Sequence, residues 1–149
     1  MIFDTHAHLD DRAFDEDRPA LLDALPTQGI RLVMNPGCSL ASSRAAAALA
    51  AQQDYVYAAV GSHPDAADEV TEAAIEAYRA MALGNPKVKA IGEIGLDYHY
   101  EDIPRDIQKK AFRMQMARMI AGKGMLRLVV AQYGKKEAES VAETASDRS

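Results

Sequence analysis

The chain has 149 residues, 48% of them hydrophobic and 26% charged, and its net charge is −5 at neutral pH. That balance fits a soluble globular domain and argues against a module that coats nucleic acid by charge alone. There is no apolar run of the roughly 18 residues a membrane span needs and no basic-then-apolar leader pattern. The single cysteine, Cys38, has no partner for an internal disulfide, so the expected location is cytoplasmic.

Short apolar runs alternate with longer stretches of helical spacing. Ile2–Asp4 opens as a strand. Leu21, Leu22 and Leu25 give residues 19–28 one apolar helical face, and Gly29 ends that helix. A second strand over residues 30–34 is closed by Asn35-Pro36-Gly37, which reads as a plain turn. An alanine-rich helix follows over residues 39–53, then a third strand over 55–60 closed by Gly61. The helix over residues 71–83 is broken by Gly84-Asn85-Pro86. Val88–Ile94 is a fourth strand, and Pro104 suits the first turn of a helix over residues 104–120. Residues 126–131 offer a fifth strand. Strand and helix alternate throughout, which predicts an α/β fold with a parallel sheet and covering helices. Alternation alone fits a closed barrel and a doubly wound open sheet equally well. A complete eight-unit barrel takes roughly 250 residues, so four or five βα units make a partial one.

Polar residues with metal or acid–base chemistry follow each strand. Asp4-Thr5-His6-Ala7-His8 leaves the first strand. Residues two apart on extended backbone point the same way, so His6 and His8 can present two imidazoles to one cation. Asp4 shares their parity and can orient a ligand from behind. Two ordinary surface histidines would look the same. Gly92-Glu93-Ile94-Gly95-Leu96-Asp97-Tyr98 ends the fourth strand. The two oxygens of Glu93 can bridge a pair of metal ions; a tight turn carrying solvated acids is the plainer reading. His63, in Gly61-Ser62-His63-Pro64 after the third strand, can touch a ligand or satisfy a loop hydrogen bond. Taken together, these residues fall at the C-terminal ends of successive strands, where ligands gather in parallel α/β folds.

Phe3-Asp4-Thr5-His6-Ala7-His8-Leu9-Asp10, Gly61-Ser62-His63-Pro64 and Ile91-Gly92-Glu93-Ile94-Gly95-Leu96-Asp97-Tyr98 resemble the successive signatures of the TatD DNase family. Gln108 and Phe112 in the following helix resemble its pattern too. The His-x-His pair is shared with the wider amidohydrolase superfamily, whereas the element Glu93-Ile94-Gly95-Leu96-Asp97-Tyr98 is much more specific. The resemblance implies a TIM barrel and metal-dependent phosphodiester hydrolysis of DNA, of the 3'-5' exonuclease type. It implies a two-metal site for Mg²⁺, Mn²⁺ or Zn²⁺, with His6 and His8 on one ion, Glu93 bridging both, and His63 and Asp97 lining the pocket. Some members are also linked to removing D-amino acids from tRNA.

The likeness covers residues 1–116, and residues 117–149 diverge into a polar, charge-alternating stretch expected to pack poorly. No histidine follows His99, although the family places further metal-binding histidines and a late aspartate after later strands. Gln132-Tyr133-Gly134 stands where a histidine and an arginine are expected. No catalytic base is identified in the chain. The expectation is an N-terminal half of the family's barrel, truncated or frame-shifted and impaired. Alternative functions are an amidohydrolase-type carbonyl hydrolase, including D-aminoacyl-tRNA deacylation, and a non-catalytic remnant or interaction module. Expected partners are DNA or another phosphodiester, not a membrane; a second copy is expected to pair through exposed sheet edges.

Overall fold

The computed structural model describes residues 1–100, 102–120 and 127–130. Five strands, β1 (Ile2–Asp4), β2 (Ile30–Pro36), β3 (Val56–Val60), β4 (Val88–Ile94) and β5 (Arg127–Val130), form one sheet in chain order. Every neighbouring pair is parallel. The crossovers carry α1 (Arg18–Thr27), α2 (Leu40–Gln52), α3 (Glu72–Gly84) and α4 (Arg105–Ile120). A doubly wound sheet reverses its strand order at a switch point. Here the order never reverses, which is the winding of a (β/α) barrel. The α/β fold is therefore a parallel half-barrel.

Both faces of β3 are covered, and Val56, Ala58, Ala59 and Val60 are all buried, as expected where helices flank a parallel sheet. α2 brings Ala46, Ala47 and Ala50 into the core, and its alanines let it lie close to the sheet. Ser39 caps α2 by accepting a hydrogen bond from the Ser42 amide at 3.1 Å, and Thr71 caps α3 through the Ala74 amide at 3.2 Å. Such caps satisfy amides that the helix leaves unpaired. In α4, Ala111, Phe112, Gln115, Met116 and Met119 form one buried stripe at helical spacing. The boundary expected near Met116 thus falls inside a continuous helix, and β5 beyond it pairs with β4. Of the stretch 117–149 expected to pack poorly, residues 121–126 and 131–149 lie outside the described residues.

β2 differs from expectation. Asn35-Pro36 continues the strand instead of turning, because Asn35 pairs in register with Ala58 and Pro36 with Ala59. Proline is tolerated here because the ladder bond to Ala59 O comes from the Gly37 amide at 2.9 Å, so no amide is asked of Pro36. Two short 3-10 helices, Arg12–Phe14 and Pro64–Glu69, also lie in the strand-to-helix connections. At the other side of the sheet, β1 is an edge strand, and Ile2 and Phe3 remain half exposed. No helix among the described residues is long and apolar enough to cross a membrane.

Candidate metal centre

The loops that follow β1, β2, β3 and β4 meet above the C-terminal strand ends. Gly37, just past β2, donates its amide to Ala59 O at 2.9 Å and accepts from the Glu93 amide at 2.7 Å. The His63 amide donates to Cys38 O at 2.8 Å. These backbone bonds tie the loops after β2 and β3 to each other and to the ends of β3 and β4, so Glu93 is fixed against the loop that follows β2.

His6 Nε2 lies 3.1 Å from His8 Nε2 and 3.2 Å from Glu93 Oε2. One donor atom from each of the three side chains falls within 4.8 Å of the others. His8 Nδ1 faces Pro36 O at 3.1 Å. A carbonyl only accepts, so Nδ1 carries the hydrogen and the neutral ring turns the lone pair of Nε2 inward. That is the orientation a metal-binding imidazole takes when a carbonyl holds its far nitrogen. Two imidazole nitrogens and a carboxylate oxygen suit Zn²⁺ and neighbouring dications. Zn–N bonds of about 2.0–2.1 Å put tetrahedral ligand atoms about 3.3 Å apart, close to the two spacings seen here. The His6 side chain is 42% exposed and that of Glu93 13%, so the cluster opens to solvent on the His6 side.

The surrounding field is negative. Burial first, then the carboxylates of Glu93, Asp65, Asp10 and Asp11, together push the Cys38 thiol up to about 12. The carboxylates that disfavour a thiolate there favour a cation. Cys38 Sγ sits 3.8 Å from His8 Nδ1, behind the imidazole and away from the inward-facing nitrogen.

The remaining predicted residues surround this cluster without joining it. Asp4 accepts the His6 amide at 3.0 Å, so it braces the His6 backbone and not its ring. His63 pairs with Asp65 at 2.8 Å through Nδ1. The Asp97 amide donates to Gln108 Oε1 at 2.9 Å, and its carboxylate caps the His99 amide at 2.8 Å. A cleft of about 190 Å³ lies beyond, lined by Tyr100, Ile103, Pro104 and Arg105 in the connection from β4 to α4.

Beneath His63 lies a buried polar network that the residue pattern did not signal. Gln115 of α4 accepts the Ser62 amide at 2.8 Å and donates to Ser62 O at 3.1 Å, as a neighbouring strand would. Ser62 Oγ meets the Tyr78 hydroxyl at 2.6 Å and donates to Glu69 Oε1 at 3.1 Å. Burial raises the Tyr78 phenol to about 12; the Ser62 hydrogen bond opposes that rise, Glu69 adds to it and Arg44 opposes it. Below the ordinary value of 10, the folded and unfolded chains are both protonated at this residue. Between pH 10 and 12 only the unfolded chain gives up its proton, so Tyr78's contribution is lost across that window. Tyr78→Phe is expected to flatten the fall in urea midpoint between those pH values, at a cost of about 1 kcal/mol near neutrality. Equal alkaline slopes in both proteins would show that the phenol is not the titrating group.

A parallel half-barrel with His6, His8 and Glu93 gathered at its C-terminal mouth defines the class of scaffold, a partial (β/α) barrel with a metal-competent group at its open end. The family model for TatD related DNase matches residues 3–130, and the chain belongs to that family. The uncharacterized metal-dependent hydrolase YabD of Bacillus subtilis is 36% identical over 117 residues, covering 78% of this chain and 46% of the relative. The 3'-5' ssDNA/RNA exonuclease TatD of Musicola paradisiaca is 32% identical over 117 residues, covering 78% and 44%. The chain therefore spans about half the length of the curated relatives it matches. Among solved structures, YjjV of Escherichia coli superposes with a TM-score of 0.83 at 24% identity, over 97% of this chain and 56% of that one. A TatD family hydrolase of Entamoeba histolytica gives 0.85 at 18% identity, over 98% and 55%. At such identities the likeness establishes the fold, a partial TatD barrel.

Proposed function

We propose that His6, His8 and Glu93 are ligands of a divalent metal centre that hydrolyses phosphodiester bonds in DNA, with 3'-5' exonuclease polarity. The convergence of two imidazole nitrogens and a carboxylate oxygen within 4.8 Å carries this reading. The exonuclease relatives support the substrate class. A bound Mg²⁺, Mn²⁺ or Zn²⁺ would neutralise charge on the phosphate and make water a competent nucleophile at neutral pH. Glu93, whose carboxylate offers two oxygens, would be the residue to bridge two ions. His63 and Asp97 border the entrance, where they meet substrate or hold the loops that do.

Among the described residues the metal-competent group has three side chains, His6, His8 and Glu93, a small set to hold two ions and orient an attacking water. The 149-residue chain is therefore expected to cut DNA far more slowly than a full-length relative, even with excess metal. The measurement is cleavage of 5'-labelled single-stranded DNA under Mg²⁺, Mn²⁺ and Zn²⁺, beside His6→Ala/His8→Ala. Robust cleavage that the double variant abolishes would mean that further ligands complete the site. Metal-dependent hydrolysis of an ester or a D-aminoacyl-tRNA with DNA left intact would move the chain to carbonyl chemistry. A folded chain inert toward all of them would fit an interaction module. The edge strand β1, with Ile2 and Phe3 half exposed, is the surface through which a second copy would pair.

A further inference from the structure

We infer that Asp10, Asn35 and Ser42 form a latch that positions the His6-x-His8 segment and thereby sets metal affinity; this rests on the metal centre proposed above. The ladder between β1 and β2 ends where Asp4 meets Val33. Beyond it, the segment bearing both histidines has no strand to hold it, and its geometry needs another source. The Ala7 amide donates to Met34 O at 3.1 Å and His8 Nδ1 to Pro36 O at 3.1 Å. Between those contacts sits Asn35, which is fully buried.

Asn35 Oδ1 accepts the Leu9 amide at 2.5 Å, and Nδ2 donates to Asp10 Oδ1 at 2.6 Å. The second oxygen of Asp10 accepts Ser42 Oγ at 2.9 Å, and that same Oγ accepts the Cys38 amide at 3.2 Å. Each partner has one role: an amide N–H donates and a carboxylate accepts. The direction of every bond is therefore determined, including which way the Asn35 side chain faces. The latch joins the histidine loop, the end of β2 and the first turn of α2. His8 lies one residue from Leu9 and two from Asp10, so a slip of the latch moves the imidazole.

A swap of chemical roles tests positioning against mere cohesion. N35D keeps the acceptor for Leu9 but sets a carboxylate against the carboxylate of Asp10, with no hydrogen between them. Adding D10N restores a donor there and leaves an amide oxygen to accept from Ser42. Zn²⁺ and Mn²⁺ binding is measured by titration, hydrogen exchange of the Leu9 amide in metal-free protein, and Tm alongside. The expected result is that N35D weakens metal binding roughly 10–100-fold, as loss of a ligand's support does elsewhere, and exposes the Leu9 amide. D10N/N35D returns both readouts to within a few-fold of the original. Ser42→Ala, which keeps Asn35 and removes one support of Asp10, weakens binding by a smaller factor and serves if N35D fails to fold. A lowered Tm with unchanged metal affinity, in N35D or in Ser42→Ala, would reduce the latch to a structural clasp and overturn the inference. So would a swap that folds yet binds no better than N35D. Failure of the metal centre itself is read separately: an unsubstituted protein with no saturable binding, or binding that His6→Ala leaves intact, sinks the underlying reading.

Discussion

His6→Ala/His8→Ala is expected to weaken Zn²⁺ and Mn²⁺ binding by more than about 100-fold, beyond the 10–100-fold typical of losing a ligand's support. It should remove any metal-dependent cleavage with it. The fold should survive. Both histidines lie past the end of β1, and neither belongs to the hydrophobic core. His8 gives up one hydrogen bond to Pro36 O, worth about 1 kcal/mol, and His6 one contact with Glu93 at a half-exposed position. The two nitrogens now 3.1 Å apart are what distinguishes this cluster from solvated surface histidines. Removing both leaves Glu93 as one carboxylate in an already negative field, which attracts dications weakly and without geometry. Calorimetric titration with circular dichroism on the same samples gives the answer. Unchanged binding by the double variant, with the fold intact, would place the metal elsewhere.

The parts of this arrangement visible in the residue pattern are those with a local period. Alternation on extended backbone puts His6 beside His8, and Glu93 stands out as a carboxylate within the apolar end of β4, after Ala90 and Ile91 and before Ile94. The βα alternation likewise announces a parallel sheet, while the choice of barrel over open sheet needs the strand order. What stayed hidden is tertiary. Asn35-Pro36-Gly37 carries every local mark of a turn, yet pairing with Ala58 and Ala59 keeps Asn35 and Pro36 in the strand. Asn35 and Asp10 lie 25 residues apart, and Asp10 and Ser42 lie 32 apart; no window of sequence brings them together. Gln115 looks like a solvated helix residue, but it is 1% exposed because its amide replaces a backbone partner for Ser62. His63 shows the opposite limit. Its place after β3 is legible, whereas its pairing with Asp65 depends on how the loop folds back.

Gly37→Ala is expected to damage fold and site together, which no substitution at the ligands would do. A Cβ on Gly37 would lie 2.6 Å from Ser43 Cα and 2.8 Å from Ser43 N, both backbone atoms in the first turn of α2. Backbone cannot rotate away as a side-chain tip can, so either the helix or the loop must move. Moving the helix breaks the paired bonds of Ser43 Oγ with Gly61, one donated to its carbonyl and one accepted from its amide, each 3.0 Å. Moving the loop shifts Gly37 O, which holds the Glu93 amide at 2.7 Å, and the third proposed ligand goes with it. Overpacking of this kind costs about 2–3 kcal/mol, or roughly 5–10 °C in Tm for a chain of this size. Metal affinity should fall as well, because Glu93 at the end of β4 and the histidine segment after β1 both bond to backbone at the end of β2 and the loop that holds Gly37. Gly84→Ala is the control: nothing lies within 4 Å of a Cβ there, at the exposed end of α3. That substitution should leave metal binding unchanged and raise stability by about 0.4–1 kcal/mol through the unfolded chain. The comparison is made by thermal unfolding and metal titration of the two variants. A Gly37→Ala protein as stable as the Gly84→Ala protein would mean that α2 can withdraw without loss. One that is destabilised but binds metal normally would uncouple Glu93 from the loop that carries its amide.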